Sequence, residues 1–477
     1  MDRPHLHLTA LPERIRASAV LLALVLATAA LLATAAPAAA RDVLPTHMLW
    51  WDIYAPTVAV DRYEAVAPTI DGGFVAAGIT NDNIFGDAAG TDMLVTKFAA
   101  DDSGVHREWV RTWDNPINHL ADHAWAVQTD LLGNVIVCGY TVTAGGARFM
   151  AIVKWDAAGT FQWARSLTAD LPGGNAIAYD LTCDGAGDIY VCGSTETAAG
   201  VRALVVRKLD ATLGDPLWKG EYEGTADSFN QGSAIALDQF ANCYVVGYGE
   251  RVVGADNDIV VVKFDSLGNL DWARRIDGSD HRRDDGADIV MGTSTVSIAG
   301  YLGTDAAGTR SRVAVATYTL GGTRKWLRTW SETSTAACRP TALARDRYGN
   351  VVVAGSATRS GGIEHAFLVK WDKYGHRKWA KVSYRAGEKR WFNDVVARGG
   401  TFWVGGATVT GASDADALVA RYGPDGTRTW FSLYTGAGGL GDGFRALCLG
   451  VGSGVFAAGF SGSAATGDDA LAAKYTR

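Results

Sequence analysis

The chain has 477 residues, 20% of them charged, with 44 basic and 51 acidic side chains and 48% apolar content. This is the make-up of a folded, mildly acidic protein, and it lacks the basic field that nucleic acid or anionic lipid would require. The length would ordinarily hold two or three domains, unless internal repetition overrides that prior.

From the N-terminus, Arg14 and Arg16 precede an apolar stretch, Ala17 to Ala35, which ends in Ala38-Ala39-Ala40. A basic head, an apolar middle and an A-x-A-like exit predict a secretory leader over residues 1–40, cleaved after Ala40. The stretch is also long enough for an uncleaved membrane anchor, but its Ala-Pro-Ala end suits a peptidase better. No Cys follows it, which argues against a lipid anchor, and no later segment is long and apolar enough to cross a membrane. Without Asp2, Arg3, Glu13, Arg14 and Arg16 the chain keeps 41 basic and 49 acidic residues, a formal charge of −8. The expected location is secreted, periplasmic or at the cell surface, as a monomer with no membrane span.

The rest of the chain repeats one pattern. A short apolar strand ending in glycine closes at Gly78, Gly139, Gly193, Gly247, Gly300, Gly355, Gly406 and Gly459, at spacings of 61, 54, 54, 53, 55, 51 and 53 residues. A second strand ends in a cation and a large apolar residue, as in Lys97-Phe98, Lys154-Trp155, Lys263-Phe264 and Lys370-Trp371; Thr317-Tyr318 is the exception. A D-x-x-G turn follows, with Asp capping local amides and Gly tolerating positive φ. Four residues beyond most of these glycines stands a tryptophan: Trp163, Trp218, Trp272, Trp326, Trp379 and Trp430, with Trp109 five beyond Gly104. A further strand precedes each glycine strand, as in 124–130, 177–184, 233–238 and 341–346. Each unit therefore has four strands: inner, glycine, cation and tryptophan.

Four-stranded antiparallel units of about fifty residues are the blades of a β-propeller. The expected fold is all-β: a single propeller of eight four-stranded antiparallel blades. Their bounds are about 62–113, 122–167, 175–222, 231–277, 286–330, 339–384, 392–434 and 443–477, with 47–55 completing the last. The eighth unit stops before any tryptophan strand, and Leu49-Trp50-Trp51-Asp52-Ile53-Tyr54 is a tryptophan strand lacking the other three. Pairing the two would close the ring and remove an exposed sheet edge.

The run K-W-D-x-x-G-x-x-x-W resembles the tryptophan-docking motif of eight-bladed quinoprotein-like propellers. G-N-V-x-V-x-G with D-A-x-L-V-K, seen at Gly349–Gly355 and Ala366–Lys370, resembles bacterial exported beta-propeller repeat proteins (SBBP-like). The likeness covers the chain beyond the leader and implies a fold; its motifs are scaffold and imply no activity.

Six cysteines in an exported chain raise the question of disulfides, but Cys138, Cys183, Cys192, Cys243 and Cys448 lie in strand-like runs and Cys338 near the start of one. With no CxxC pair, buried free thiols are the better reading. The recurring tryptophans and lysines read as architecture: tryptophan packed between sheets, lysine laid on a ring or meeting a turn carboxylate. A site that occurs once needs residues that occur once. The glycine-to-cation and tryptophan-to-inner connections, on one face, are the longer and more varied, and that face is the expected binding surface.

The distinctive groups there are the loops 118–123, 281–285 and 388–391, together with Arg339 at the start of an inner strand. His123, Asp285, Arg282 and Arg339 are the candidates for acid/base or carboxylate-binding roles. Asp122, His119, Arg283, Lys389, Arg390 and Trp391 are the candidates for binding. His119, Asp122 and His123 could hold a transition metal only if the loop curled suitably. The pairs Asp256/Asp258, Asp414/Asp416 and Asp468/Asp469 fall in separate units, so capping of strand ends outweighs calcium, and no cofactor is expected. Gly436–Gly441 matches G-x-G-x-x-G but runs into a strand, not the helix a dinucleotide needs. No catalytic signature stands out. The leading expectation is a non-enzymatic binding or scaffold protein contacting protein or glycan through the loop-rich face. The alternatives are a polysaccharide lyase or hydrolase, and a quinoprotein-type oxidoreductase, against which the lack of adjacent cysteines counts.

Overall fold

A computed structural model describes residues 48–55, 60–81, 90–101, 104–117, 119–224, 229–250, 256–385, 387–410, 414–436, 440–450, 454–463 and 467–475. The expected leader and its cleavage site lie outside these residues, as do Asn118 and residues 437–439 of the G-x-G-x-x-G run. The described residues form 32 strands and no helix. No helix among them is long and apolar enough to cross a membrane.

The strands make six four-stranded antiparallel sheets and one eight-stranded sheet. In the larger sheet two four-stranded antiparallel halves are joined by a single parallel bridge between Ser311 and Ala337. These four-stranded units are called first to eighth in chain order. The first begins with the inner strand Arg62–Pro68 and ends with the tryptophan strand Gly104–Trp113. In the eighth, Met48–Tyr54 pairs antiparallel with Gly467–Tyr475, Ile53 standing opposite Leu471. Each inner strand packs against the next, and the eighth, Asp442–Leu449, packs against the first, Arg62–Pro68.

The glycine strands are rich in Val, Ile and Ala and buried but for a few positions, most of them beyond the glycine, because both faces of each unit are covered by neighbours. Every inner strand carries one bulged residue: Glu64, Trp125, Tyr179, Ser233, Ala287, Thr341, Asn393 and Arg445. The bulge presses an inner-strand carbonyl onto the neighbouring strand. A Cβ at Gly139 would collide with the carbonyl oxygen of His123, and one at Gly247 with that of Gln231. That close approach is why glycine stands there, and the strand, expected to end at it, runs on to Val142 in the one case and Glu250 in the other.

Neighbouring units are fastened at their outer edges by the tryptophans. Trp272 Nε1 donates to the carbonyl of Leu320 in the following unit at 3.1 Å, and Trp326 Nε1 to that of Lys373 at 3.1 Å. Each ring lies on the turn glycine of that next unit, Gly322 and Gly375, at φ of 81° and 84°. The recurrent lysines meet turn carboxylates: Lys154 with Asp130 at 3.1 Å, Lys208 with Asp188 at 2.9 Å, Lys370 with Asp346 at 3.1 Å. All six cysteines are unpaired thiols, and burial pushes Cys338 up to about 11 and Cys183 to about 12.

Deeper in, three aspartates follow the bulge in the third, fifth and seventh units. Asp180, Asp288 and Asp394 each accept their own next backbone N–H and one from the following unit, Ile235, Leu343 and Leu447 respectively. Burial pushes their carboxyls up to about 6, 7 and 6, and Asp394 and Asp180 are near enough to Asp288 to add to its shift. Nothing in the sequence reading singled them out.

Candidate ligand-binding face

Three segments expected as loops are partly or wholly strand. Asp122 and His123 belong to the strand Asp122–Thr129, Asp284 and Asp285 to Asp284–Met291, and residues 388–391 to Glu388–Arg398. Backbone pairing runs past the apolar core in each case, Asp122 facing Thr141, Asp284 facing Leu302 and Glu388 facing Thr410. Polar side chains at strand starts hide that extension in the sequence.

Several of the candidates hold the fold together. Asp122 is fully buried and accepts the Asn115 N–H at 2.8 Å. Asp284 accepts from Gly278 and Gly303 at 2.7 and 2.8 Å, and burial pushes it up to about 7. His119, at a left-handed φ of 48°, bonds through Nδ1 to Asp114. His123 is buried against Trp125 and Tyr140, with ring centroids 3.9 and 5.5 Å away. Burial, and then the charge of Arg62, push its imidazole down to about 4, so it is neutral at pH 7. Of the residues weighed for a transition metal, His119 bonds Asp114, which lies beside Asp122, while His123 is held among aromatic rings.

Carboxylates do gather in two places, Asp92 with Asp114 and Asp122, and Asp258 with Asp277 and Asp284. In the second, Arg275 bonds Asp258 at 3.2 Å, His281 bonds Asp277 at 2.6 Å and both Asp284 oxygens take backbone N–H groups. That is the bonding of capped strand ends, not of a cage of six or more free oxygens.

Arg390 is buried too, donating to Glu388 at 2.6 Å and Ser383 at 2.8 Å with its guanidinium 4.8 Å from the Phe431 ring. Lys389 beside it is exposed, and Trp391 is half-buried opposite Ala407. Arg390 has its own partners, and none of the three lines the cleft where the remaining candidates lie.

Those remaining do converge. Arg282, Arg283 and Arg339 line one small cleft of about 60 Å³ with Tyr301, Asp256 and Arg310. The Arg339 guanidinium lies 4.2 Å over the Tyr301 ring. Tyr301 donates its hydroxyl to Asp285, which also accepts from Arg283 Nε at 3.1 Å and Asn257 Nδ2 at 3.3 Å. The same chemistry continues into neighbouring units. Tyr248 bonds Gln231 at 3.1 Å and stacks on Phe229, over which Arg202 lies at 4.4 Å. Burial pushes the Tyr248 hydroxyl up to about 12, and Asp285 and Tyr179 lie near enough to add to the shift. The charges of Arg202 and Arg148 act on Tyr179, and Arg148 lies 5.1 Å over Tyr140, which returns to His123 and Trp125.

The outcome is an arc of aromatic rings and guanidinium groups running from the second unit to the sixth on the long-loop side. A guanidinium held over a ring has five N–H donors to offer and loses little freedom on binding. Such a group is prepared for a carboxylate or sulfate. The tyrosines were missed in the sequence, yet a signal exists: the residue after the strand-ending glycine is tyrosine at Tyr140, Tyr248 and Tyr301 and small at Ser194, Ser356 and Ala407.

No protein-family profile matches the chain, and no curated protein matches it by sequence. Solved structures do match its fold. A quinohemoprotein alcohol dehydrogenase, ADHIIG of Pseudomonas putida HK5, is 12% identical with a TM-score of 0.54, over 90% of this chain and 76% of that one. The Dos1 propeller is 10% identical with a TM-score of 0.54, over 89% and 95%. A europium-containing methanol dehydrogenase is 10% identical with a TM-score of 0.53, over 90% and 93%. At these identities the likeness is one of fold alone: this chain is a β-propeller.

Proposed function

We propose that the chain is an exported, monomeric, eight-bladed propeller that binds an acidic glycan, without chemistry, on its long-loop face. Support for eight closed blades comes from the 32 strands in units of four, the Met48–Tyr54 pairing with Gly467–Tyr475, and the packing of the eighth inner strand on the first. The binding reading is carried by one observation, the aromatic–guanidinium arc centred on Arg339 over Tyr301. Sugar rings stack on aromatic faces such as Trp125, which is 37% exposed, while uronate carboxylates meet guanidinium edges. A protein ligand offering aspartate and glutamate would use the same groups and is the natural competitor.

Titration calorimetry with an oligogalacturonate and, separately, a neutral cello-oligosaccharide tests the reading. Binding of the acidic sugar alone is expected, and equal heats or none for either would contradict it.

The bond from Tyr301 to Asp285 beside three arginines is the one feature that favours a lyase or hydrolase. Appearance of new reducing ends or of unsaturated uronate during the titration would establish that alternative. Against the quinone reading stands the placement of the cysteines, one to a strand across five units.

A further inference from the structure

The short-turn end of the strands, opposite the long loops, is not a plain polar cap. Ile70, Leu131, Leu132, Leu213, Phe240 and Leu267 all sit at its turns and are 59–80% exposed. Five of the six lie in three consecutive units, the second to the fourth. Two clefts separate those units. One of about 540 Å³ is lined by Leu131, Leu132, Ala186 and Ala211, and one of about 730 Å³ by Ala186, Leu237 and Phe240, so Ala186 borders both. Exposed apolar side chains flanking connected clefts mark an interaction surface and not a random scatter.

Charge says what would cover it. The six short turns of these units, 130–134, 156–160, 184–188, 210–215, 238–242 and 265–269, contain eight aspartates and no lysine or arginine. The nearest cations are already engaged, Lys154 with Asp130, Lys208 with Asp184 and Asp188, Arg165 with Asp215 and Lys263 with Asp271, so four of the eight aspartates are paired within the fold. Turn N–H groups bonded to Asp210 and Asp265 favour their ionised forms. An anionic bilayer would be repelled by this field, and so would the same face of a second copy.

We propose that this acidic, apolar arc docks a basic amphipathic polypeptide segment of another protein. Its apolar side chains would enter the two clefts and its lysines or arginines would meet the turn aspartates. Because this surface and the glycan-binding arc lie at opposite ends of the strands, either reading can fail without the other.

A fluorescent 18-residue Leu/Lys amphipathic peptide titrated into the full chain tests the proposal by anisotropy. Expected are saturable binding, weakening of about tenfold or more in Leu132→Ser/Phe240→Ser, and no change in Arg339→Ala. Both substituted side chains are exposed, so an unchanged Tm is expected beside the loss. A Ser/Lys peptide of equal charge binding as tightly, or the double variant binding as wild type, would overturn the proposal. So would capture by phosphatidylglycerol vesicles that the double substitution abolishes, which would identify a lipid surface. Dimerisation in sedimentation that the double substitution abolishes would equally overturn it, by identifying a second copy.

Discussion

At the scale of single residues, Arg339 carries the binding claim and Asp288 carries the pH behaviour. Arg339 is exposed and its contacts are with the Tyr301 ring, so Arg339→Ala removes an anion donor without opening the core. The expected result is a loss of oligogalacturonate affinity of about tenfold with Tm unchanged, read by calorimetry and thermal melts.

The buried carboxyls predict an unusual pH dependence. Asp180, Asp288 and Asp394 are raised to about 6, 7 and 6, and Asp284 and Asp442 to about 7 and 6. Between about pH 4, where an unfolded Asp titrates, and about pH 7, the folded chain holds protons that the unfolded chain releases. Stability therefore falls as pH rises through that window. His123, lowered to about 4, acts in the opposite sense, costing stability as pH drops below about 6.5. Five carboxyls outweigh one imidazole, so Tm should be higher at pH 5 than at pH 8. Asp288→Asn should flatten the slope. It should also lower Tm throughout, since an amide leaves the N–H of Ile289 or Leu343 unmet at about 1–3 kcal/mol.

At the scale of the structural element, the tryptophan and the turn glycine form one device. The Gly268 turn has φ of 88° and lies on the Trp218 ring, where a Cβ would meet it at 2.7 Å; Gly308 has φ of 67° and open space around it. Gly268→Ala should therefore depress Tm more than Gly308→Ala, although both carry the cost of positive φ. Trp272→Phe removes the bond to Leu320 and should cost about 1 kcal/mol, whereas Trp272→Ala should cost about 3–5 kcal/mol in chemical denaturation.

This device was legible in the chain because it recurs: a D-x-x-G turn and a tryptophan four residues on need no tertiary information to be seen. The inner strands were less so. Their bulges, and the aspartates of alternate units that reach the next unit's backbone, depend on which strand lies alongside, and spacing does not reveal that. The same reason explains the candidate site. Arg283, Asp285 and Arg339 were visible as unrepeated charges, but the tyrosines that orient them stand one residue past a repeated glycine and read as scaffold. Arg390 and Asp122 looked equally distinctive and are buried in the fold, since a lone charge in sequence does not announce its partner.

At the scale of the whole molecule, everything named on either face assumes that the units form one ring sealed by the first strand. The strand Met48–Tyr54 contributes Trp50 and Trp51 to two different apolar clusters, one shared with Phe74 and Phe98 of the first unit and one with Tyr434 of the seventh. Arg107 of the first unit bonds Asp52 at 2.8 Å and the Ile53 carbonyl at 2.9 Å, tying the same strand to the next unit along. Removing it would expose the edge of Gly467–Tyr475 and unfasten both neighbours.

Hydrogen exchange of the full chain, followed by mass spectrometry, reads that seal directly. Leu49–Tyr54 should exchange as slowly as the outer strand Phe161–Leu167, and a chain shortened to begin after Tyr54 should lose protection along Gly467–Tyr475. Exchange of Leu49–Tyr54 at the rate of free peptide, with Gly467–Tyr475 equally protected in both chains, would contradict the closed ring.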